Sequence, residues 1–172
     1  MAELEQKAAT MRDLIVQRVR SVGDQLAGRE PPPLKFDEQG IASLADWREE
    51  PDIGKPRIDQ PMKDGRTTLR ILGGDGECRA SWRLWIYLQP GRYQFQGQVR
   101  TSGVSNGGAG LRISGDTRNR RIAGDTAWVP LRHDFVVEEG SGDVELVCEL
   151  RTYQPGGEVW FDAGSLRLKR LF

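Results

Sequence analysis

Hydrophobic residues recur with a helical period over the first part of the chain. Between Glu3 and Ala27 they are spaced 4, 3, 4, 4, 3 and 4 residues apart, which places them on one face of an α-helix. Gly28 and Pro31–Pro33 predict its end, because glycine caps helices and proline cannot continue them. The pattern predicts an amphipathic helix over residues 1–28 and a proline-rich linker over 29–36.

After the prolines the hydrophobic period falls to 2, and glycine and proline turns become frequent. In Arg92–Thr101 the residues Tyr93, Phe95 and Val99 alternate with polar ones, which is typical of a strand with one buried face. Six further segments are predicted strands: Thr67–Leu72, Ala80–Leu88, Gly110–Ser114, Leu131–Glu138, Asp143–Arg151 and Glu158–Leu168. Short strands without an intervening helix predict an all-β, two-layer sandwich over residues 37–172.

The charge balance disfavours a polyanionic partner. The 172 residues contain 25 Lys and Arg and 25 Asp and Glu, so no net field would attract nucleic acid or an anionic membrane. The basic cluster Arg118–Arg121 therefore indicates a solvated hairpin rather than a nucleic-acid site.

No segment approaches the roughly 20 apolar residues of a membrane span, and Met1–Thr10 does not resemble a signal peptide.

Two cysteines, Cys78 and Cys148, leave two alternatives open. They are compatible with one disulfide or with two buried thiols. Without a second pair nearby, they do not indicate a zinc site.

Several segments together carry a resemblance to a known family. Their order and spacing resemble the non-catalytic carbohydrate-binding modules of the galactose-binding-like jelly-roll fold, over about Leu34–Leu171. The segments are "DGRTTLRI", "SWRLWIYLQPGRYQFQGQVRT", "AGLRIS", "TAWVPLRHDFVV", "VELVCEL" and "GGEVWFDAGSLRL".

The helical segment carries a second resemblance. The run "MRDLIVQRVRSVGDQLAG" is similar to the end of the kinase-like domain in bacterial spore-coat CotH-like proteins. The two resemblances together imply an accessory module of a larger extracellular or cell-surface protein, with the chemistry done by an upstream kinase-like domain.

A sugar site needs aromatic faces for the apolar side of a pyranose and planar polar groups for its hydroxyls. Strand alternation predicts that polar side chains from four strands form one concave surface with an aromatic rim. In this surface Trp85 and Tyr87 would stack on sugar rings. The predicted hydroxyl-binding residues are Gln96, Gln98, Arg100, Arg112 and Glu149. The alternative is a solvated sheet face held by cross-strand ion pairs.

The remaining aromatic residues are predicted to pack the interior. Those expected in the core are Tyr93, Trp128, Phe135, Trp160 and Phe161. Trp47 is predicted to be a lid over the core, with a sugar platform as the alternative.

The family resemblance also implies a structural Ca²⁺. Its ligands would be Asp162, with Asp37 or Glu38 and carbonyls of Lys63–Arg66, because Ca²⁺ takes six to eight oxygens. The chain departs from many relatives in having alanine after Asp162. The alternative is that Asp162 caps a turn.

The motifs do not indicate an enzyme. Gly103–Gly107 fits G-x-S-x-G, but a nucleophile elbow needs a strand before it and a helix after it. The single histidine, His133, lies within a predicted strand. Jelly-roll glycosidases are expected to have two closely spaced glutamates on a strand, and the sequence has no such pair.

The sequence therefore predicts non-catalytic binding of a polysaccharide or oligosaccharide. The alternative is a structural or protein-interaction module that forms a homodimer or docks onto another domain through the stripe of the N-terminal helix.

Overall fold

The computed structural model describes residues 32–116 and 120–172. The predicted helix 1–28, the linker up to residue 31, and Arg118 and Asn119 of the basic cluster lie outside the described residues. Within the described part the strands are β1 Ile41–Ser43, β2 Arg48–Ile53, β3 Arg57–Asp59, β4 Met62–Lys63, β5 Arg66–Leu72, β6 Cys78–Tyr87, β7 Gly91–Ser102, β8 Val104–Ile113, β9 Arg121–Gly124, β10 Val129–Val137, β11 Asp143–Thr152, β12 Glu158–Asp162 and β13 Arg167–Leu171. A 3-10 turn, Ala163–Ser165, joins the last two.

The strands form two antiparallel sheets. The eight-stranded sheet has the order β1-β13-β7-β12-β5-β3, with β10 paired to β7 and β4 paired to β5. The five-stranded sheet has the order β2-β6-β11-β8-β9. The predicted all-β sandwich is thus confirmed for the described part of the chain.

Successive long strands alternate between the two sheets. From β5 to β8, and again from β10 to β12, each strand lies in the other sheet from the one before it. Such crossings at the ends of the strands produce a jelly-roll sandwich, in which side chains of both inner faces form one core.

The core lies between the sheets and follows the alternation of the sequence. Tyr93, Phe95 and Val99 on β7 are all at most 1% exposed, and they meet Trp82 of β6 and Phe161 of β12 in one hydrophobic cluster. The Trp82 indole N–H donates to the carbonyl of Arg70 at 3.2 Å, so its polar atom is satisfied. Tyr93, Phe135 and Phe161 therefore occupy the core as predicted.

The other aromatic residues differ from one another. Trp47 packs against the core with its ring 6.0 Å from that of Phe95, so the lid prediction is confirmed. Trp128 is only half-buried and outside the core, where Arg66 lies over its ring, so its core assignment was wrong. Trp160 is buried but lies outside the core cluster, and the Lys63 ammonium lies 4.8 Å from its ring centre.

Two predicted strands differ from the observed ones by more than two residues at one end. β8 begins at Val104 rather than Gly110, so the glycine-rich run expected to be a loop is part of the sheet. Gly107 permits this, because a Cβ there would lie 1.9 Å from the carbonyl oxygen of Arg151. The predicted strand Glu158–Leu168 is broken after Asp162 by the 3-10 turn.

The described end of the predicted linker packs on the sandwich. Leu34 donates its N–H to the carbonyl of Tyr87 at 2.9 Å, and Leu34 and Phe36 pack against the core. The unit that contains all the described strands accordingly runs from Leu34 to Phe172. The described residues contain no helix with the length and apolar character needed to span a bilayer.

Candidate functional site: the outer face of the five-stranded sheet

The outer face of the five-stranded sheet combines arginines, buried carboxylates and an exposed tryptophan. Its register is read from β11, whose outward residues alternate from Asp143 to Arg151. Glu145 lies opposite Trp85, Val147 lies between Arg83 and Arg112, and Glu149 lies between Ser81 and Gly110. This surface is called the arginine face below.

Glu149 is a buried carboxylate on this solvent-side surface. It is 1% exposed, and its oxygens accept from Arg112 Nε at 2.9 Å and from Arg121 Nη2 at 3.4 Å. The Arg112 side chain is itself only 15% exposed, so the pair is largely removed from water. Two guanidinium partners offset the cost of desolvating the carboxylate and fix its plane.

Glu145 forms a second cluster of the same kind. It is 4% exposed, with Arg83 Nη1 at 3.1 Å and Arg48 Nη2 at 3.8 Å. Arg83 also donates from Nε to the Ser81 hydroxyl at 2.9 Å. Between the clusters, Val147 is fully buried although it faces outward, and its register neighbours Arg83 and Arg112 can cover it with their aliphatic stems.

Sequence analysis did not predict the Glu145 cluster as part of the site. Alternation along β11 already placed Glu145 outward, but the partner Arg48 lies on β2, in a segment without period-2 alternation. The Arg48–Glu145 pair joins residues about a hundred positions apart, and a local sequence pattern does not predict such a contact.

Trp85 and Tyr87 lie at one end of the arginine face. Trp85 is 41% exposed near the end of β6, beyond the last residue that pairs with β2. Tyr87 is half-buried; a Cβ at Gly142 would lie 2.5 Å from its ring, so the ring is held against that glycine. The two aromatic residues predicted for sugar stacking are therefore on one surface with Arg112 and Glu149.

The other predicted sugar-binding residues lie on the opposite side of the sandwich. Gln96, Gln98 and Arg100 are on β7, which belongs to the eight-stranded sheet, and they face out from that sheet. The expectation of one surface from four strands was wrong. The turn at Pro90–Gly91 carries the chain to the other sheet instead of closing a hairpin between β6 and β7.

The outer face of the eight-stranded sheet has its own polar partners. Gln94 donates from Nε2 to Asp134 at 2.8 Å. Arg100 pairs with Asp64 at 2.6 Å, and the Trp128 indole N–H also donates to Asp64 at 3.0 Å. The Trp128 hydrogen bond, followed by the nearby charge of Arg100, lowers the pKa of Asp64. These pairs match the alternative of a face stabilised by cross-strand contacts.

Both carboxylate oxygens of Asp162, the main predicted calcium ligand, have protein partners. Its Oδ2 accepts from Arg66 Nη1 at 2.6 Å, and its Oδ1 accepts from the Gly164 N–H at 3.1 Å at the start of the 3-10 turn. Asp37 likewise accepts the N–H groups of Gln39 and Ile41 within its own turn. Across the described residues no group of three or more His, Cys, Asp or Glu is placed to hold a metal. A bound cation would have to displace Arg66.

Ser105 of the Gly103–Gly107 motif and His133 lie on different sheets. Ser105 is exposed on β8 and its hydroxyl donates to Gln154 at 3.0 Å. His133 is 6% exposed on β10 with Nε2 3.2 Å from an oxygen of Asp116. Burial lowers the pKa of His133, against the opposing charge of Asp116.

The two cysteines are free buried thiols. Cys148 lies opposite Trp82, whereas Cys78 lies opposite Thr152, four residues further along β11. At roughly 3.3 Å per residue this offset is about 13 Å, too far for a disulfide. Burial raises the pKa of both thiols, well above the usual value for Cys148.

Solved structures of known proteins share the architecture of this chain. No protein-family model and no curated protein matches the sequence. Among solved structures, the carbohydrate-binding module TmCBM61 in complex with β-1,4-galactotriose is 13% identical over 75% of this chain and 91% of that chain, with a TM-score of 0.50. A CBM4 structure is 14% identical over 82% and 96%, with a TM-score of 0.51. The chain shares the jelly-roll fold of these modules.

An enzyme also contains a similar unit. The enzymatically active domain of bacteriophage CBA120 tailspike protein 4 is 14% identical over 73% of this chain, with a TM-score of 0.55. The match covers 19% of that chain, so it concerns a small part of the tailspike domain.

Proposed function

We propose that the chain is a non-catalytic glycan-binding module and that it binds through the arginine face. The observation that carries the proposal is the exposed Trp85 on one face with two arginine–carboxylate clusters, of which that of Glu145 lies directly opposite it. An exposed aromatic ring offers a flat apolar surface to a pyranose, and the guanidinium and carboxylate groups around it present fixed donors and acceptors.

The rigidity of the polar groups supports binding at modest cost. Side chains that are ordered before a ligand arrives lose little further entropy when it binds. Arg83 and Arg112 are already fixed by Glu145 and Glu149, so hydroxyl groups would meet a preformed array. We assign stacking to Trp85 and Tyr87 and hydroxyl recognition to Arg83 and Arg112, which the buried Glu145 and Glu149 hold in place.

The sequence-based roles of Gln96, Gln98 and Arg100 are not retained in this site, because they lie on the other sheet. We also propose that Asp162 caps the 3-10 turn and that the fold does not depend on Ca²⁺. An accessory role in a larger surface or extracellular protein, and a CotH-like upstream domain, stay predictions that rest on the sequence resemblance.

A polysaccharide panel tests the proposal. The purified chain would be run through native gels containing neutral or acidic plant, algal and bacterial polysaccharides, with an unrelated protein of similar size as a mobility control. At least one glycan is expected to retard the wild-type chain, and Trp85→Ala is expected to reduce that retardation. A panel without any retardation would contradict the proposal, and so would retardation that Trp85→Ala leaves unchanged.

A further inference from the structure

Three arginines at the far end of the arginine face are poorly compensated by negative charge. Arg79 and Arg151 lie directly opposite each other on β6 and β11, and Gly108 of β8 follows on the other side of Arg151. Arg121 of β9 lies across that glycine: a Cβ at residue 108 would be 2.7 Å from the Arg121 Cβ and 3.4 Å from its Cδ. Arg79, Arg121 and Arg151 are called the arginine triad below.

The two arginines at the centre of the arginine face use their Nε groups. Arg83 Nε donates to Ser81 and Arg112 Nε donates to Glu149, each at 2.9 Å. In the arginine triad, by contrast, all three Nε atoms are buried and have no hydrogen-bond partner within residues 32–116 and 120–172. Unmet donors of this kind are costly and uncommon in folded proteins.

The charge of the arginine triad is also incompletely balanced. Arg79 reaches Asp52 at 3.4 Å in a pair whose side chains are 37% and 46% exposed, which gives little stabilisation. Arg121 lies 3.4 Å from Glu149, which Arg112 approaches more closely at 2.9 Å. For Arg151 the described part of the chain supplies no ion pair. Two like charges directly opposite each other in a sheet are unfavourable, so this arrangement costs stability.

From these contacts we infer that the arginine triad binds the carboxylate of an acidic sugar residue, so that the ligand of the module is a uronic-acid polysaccharide. The inference rests on the proposed function and extends it. A guanidinium pairs with a planar carboxylate through two parallel N–H donors, and a second arginine opposite can share the same anion. Although the whole chain has no net charge, the side chains of Arg79 and Arg121 are 37% and 29% exposed, so an anionic group can reach this local positive cluster.

The position of the arginine triad suits a polymer rather than a single sugar. Arg79 and Trp85 are six residues apart on β6, which is about 20 Å at 3.3 Å per residue. A polysaccharide that stacks on Trp85 can therefore extend along β6 and β11 and place a carboxylate at the arginine triad.

Chemical reduction of the ligand gives the sharpest test. Binding would be measured for polygalacturonate and alginate, for the same polymers after reduction of their carboxyl groups to primary alcohols, and for dextran sulfate. We expect the carboxylate polymers to bind at least about tenfold more tightly than their reduced forms, since a charged hydrogen-bonded contact is lost. Added salt is expected to weaken only the carboxylate binding.

Two variants assign the effect to the arginine triad. Arg151→Gln and Arg79→Gln are each expected to weaken carboxylate-polymer binding about tenfold and to leave binding of the reduced polymer unchanged. Neither variant should lower the melting temperature, because each removes one of two opposed like charges. Arg132→Gln, at an exposed position on β10 of the other sheet, is the matched control and should have no effect.

The outcomes separate this inference from the proposed function. Equal binding of acidic and reduced polymers, with loss in Trp85→Ala, overturns the carboxylate assignment and leaves the glycan-binding proposal standing. Binding of dextran sulfate without either carboxylate polymer also overturns the assignment, in favour of a sulfated ligand. If no polymer binds, both proposals fail.

Discussion

Truncation of Trp85 is the most informative single change, because it separates binding from folding. A tryptophan side chain presents roughly 150–250 Å² of surface, and Trp85 is 41% exposed, so about 60–100 Å² is free for a ligand. At ~25 cal/mol per Å², covering all of this area is worth about 1.5–2.5 kcal/mol. Trp85→Ala is therefore expected to weaken glycan binding by roughly ten- to seventyfold at most.

The assay is isothermal titration calorimetry with the best glycan from the panel. Tyr153→Ala is the matched control, since Tyr153 is 55% exposed but follows the end of β11 in a loop. Its affinity should equal that of the wild type. Unchanged affinity in Trp85→Ala, or a large loss in Tyr153→Ala, would refute binding on the arginine face and favour a site in the end loops.

Three further predictions concern stability. Glu149→Gln should lower the free energy of unfolding by about 2–3 kcal/mol, because it leaves the largely buried Arg112 without a charged partner. Calorimetry should show a fall in melting temperature of about 4–12 °C. The exposed control Glu138→Gln should leave the melting temperature unchanged. EGTA should leave the wild-type melting temperature unchanged. A melting temperature that rises with Ca²⁺ in the wild type but not in Asp162→Asn would instead support a calcium site at Asp162. Burial lowers the pKa of His133 in the folded state, so its contribution to stability is full above the unfolded pKa of about 6.5 and is lost as the pH falls through the folded pKa. Urea unfolding at pH 7 and pH 5 should therefore show that His133→Asn loses less unfolding free energy on acidification than the wild type. Equal losses of unfolding free energy in the two proteins would refute this.

Strand alternation predicted most of the fold because it is a local property. The side chains of β7 alternate between core and surface as its sequence indicates. Those of β11 alternate between the core cluster and the outer face, with Glu149 on the expected side. The break after Asp162 was missed although the small residues Ala163–Ser165 interrupt the bulky ones there. Asp162 caps the resulting 3-10 turn by accepting the Gly164 N–H.

The site was only half predictable, because it depends on which sheet each strand joins. Trp85 and Gln96 are close in sequence and separated by one turn, yet they lie on opposite outer faces. A proline-glycine turn reverses the chain equally well within a sheet or between two sheets. The pairs Arg121–Glu149 and Arg48–Glu145 likewise arise from long-range strand order, which a local pattern does not encode.

Mapping of backbone amide shifts during a glycan titration would show which face of the sandwich binds the glycan. We expect the perturbed amides to cluster on β6, β8 and β11, from Trp85 at one end to Arg151 at the other, while β7 and β10 stay unchanged. Perturbation centred on Gln96 and Gln98 of the eight-stranded sheet or on the end loops, or no perturbation by any glycan, would contradict this prediction.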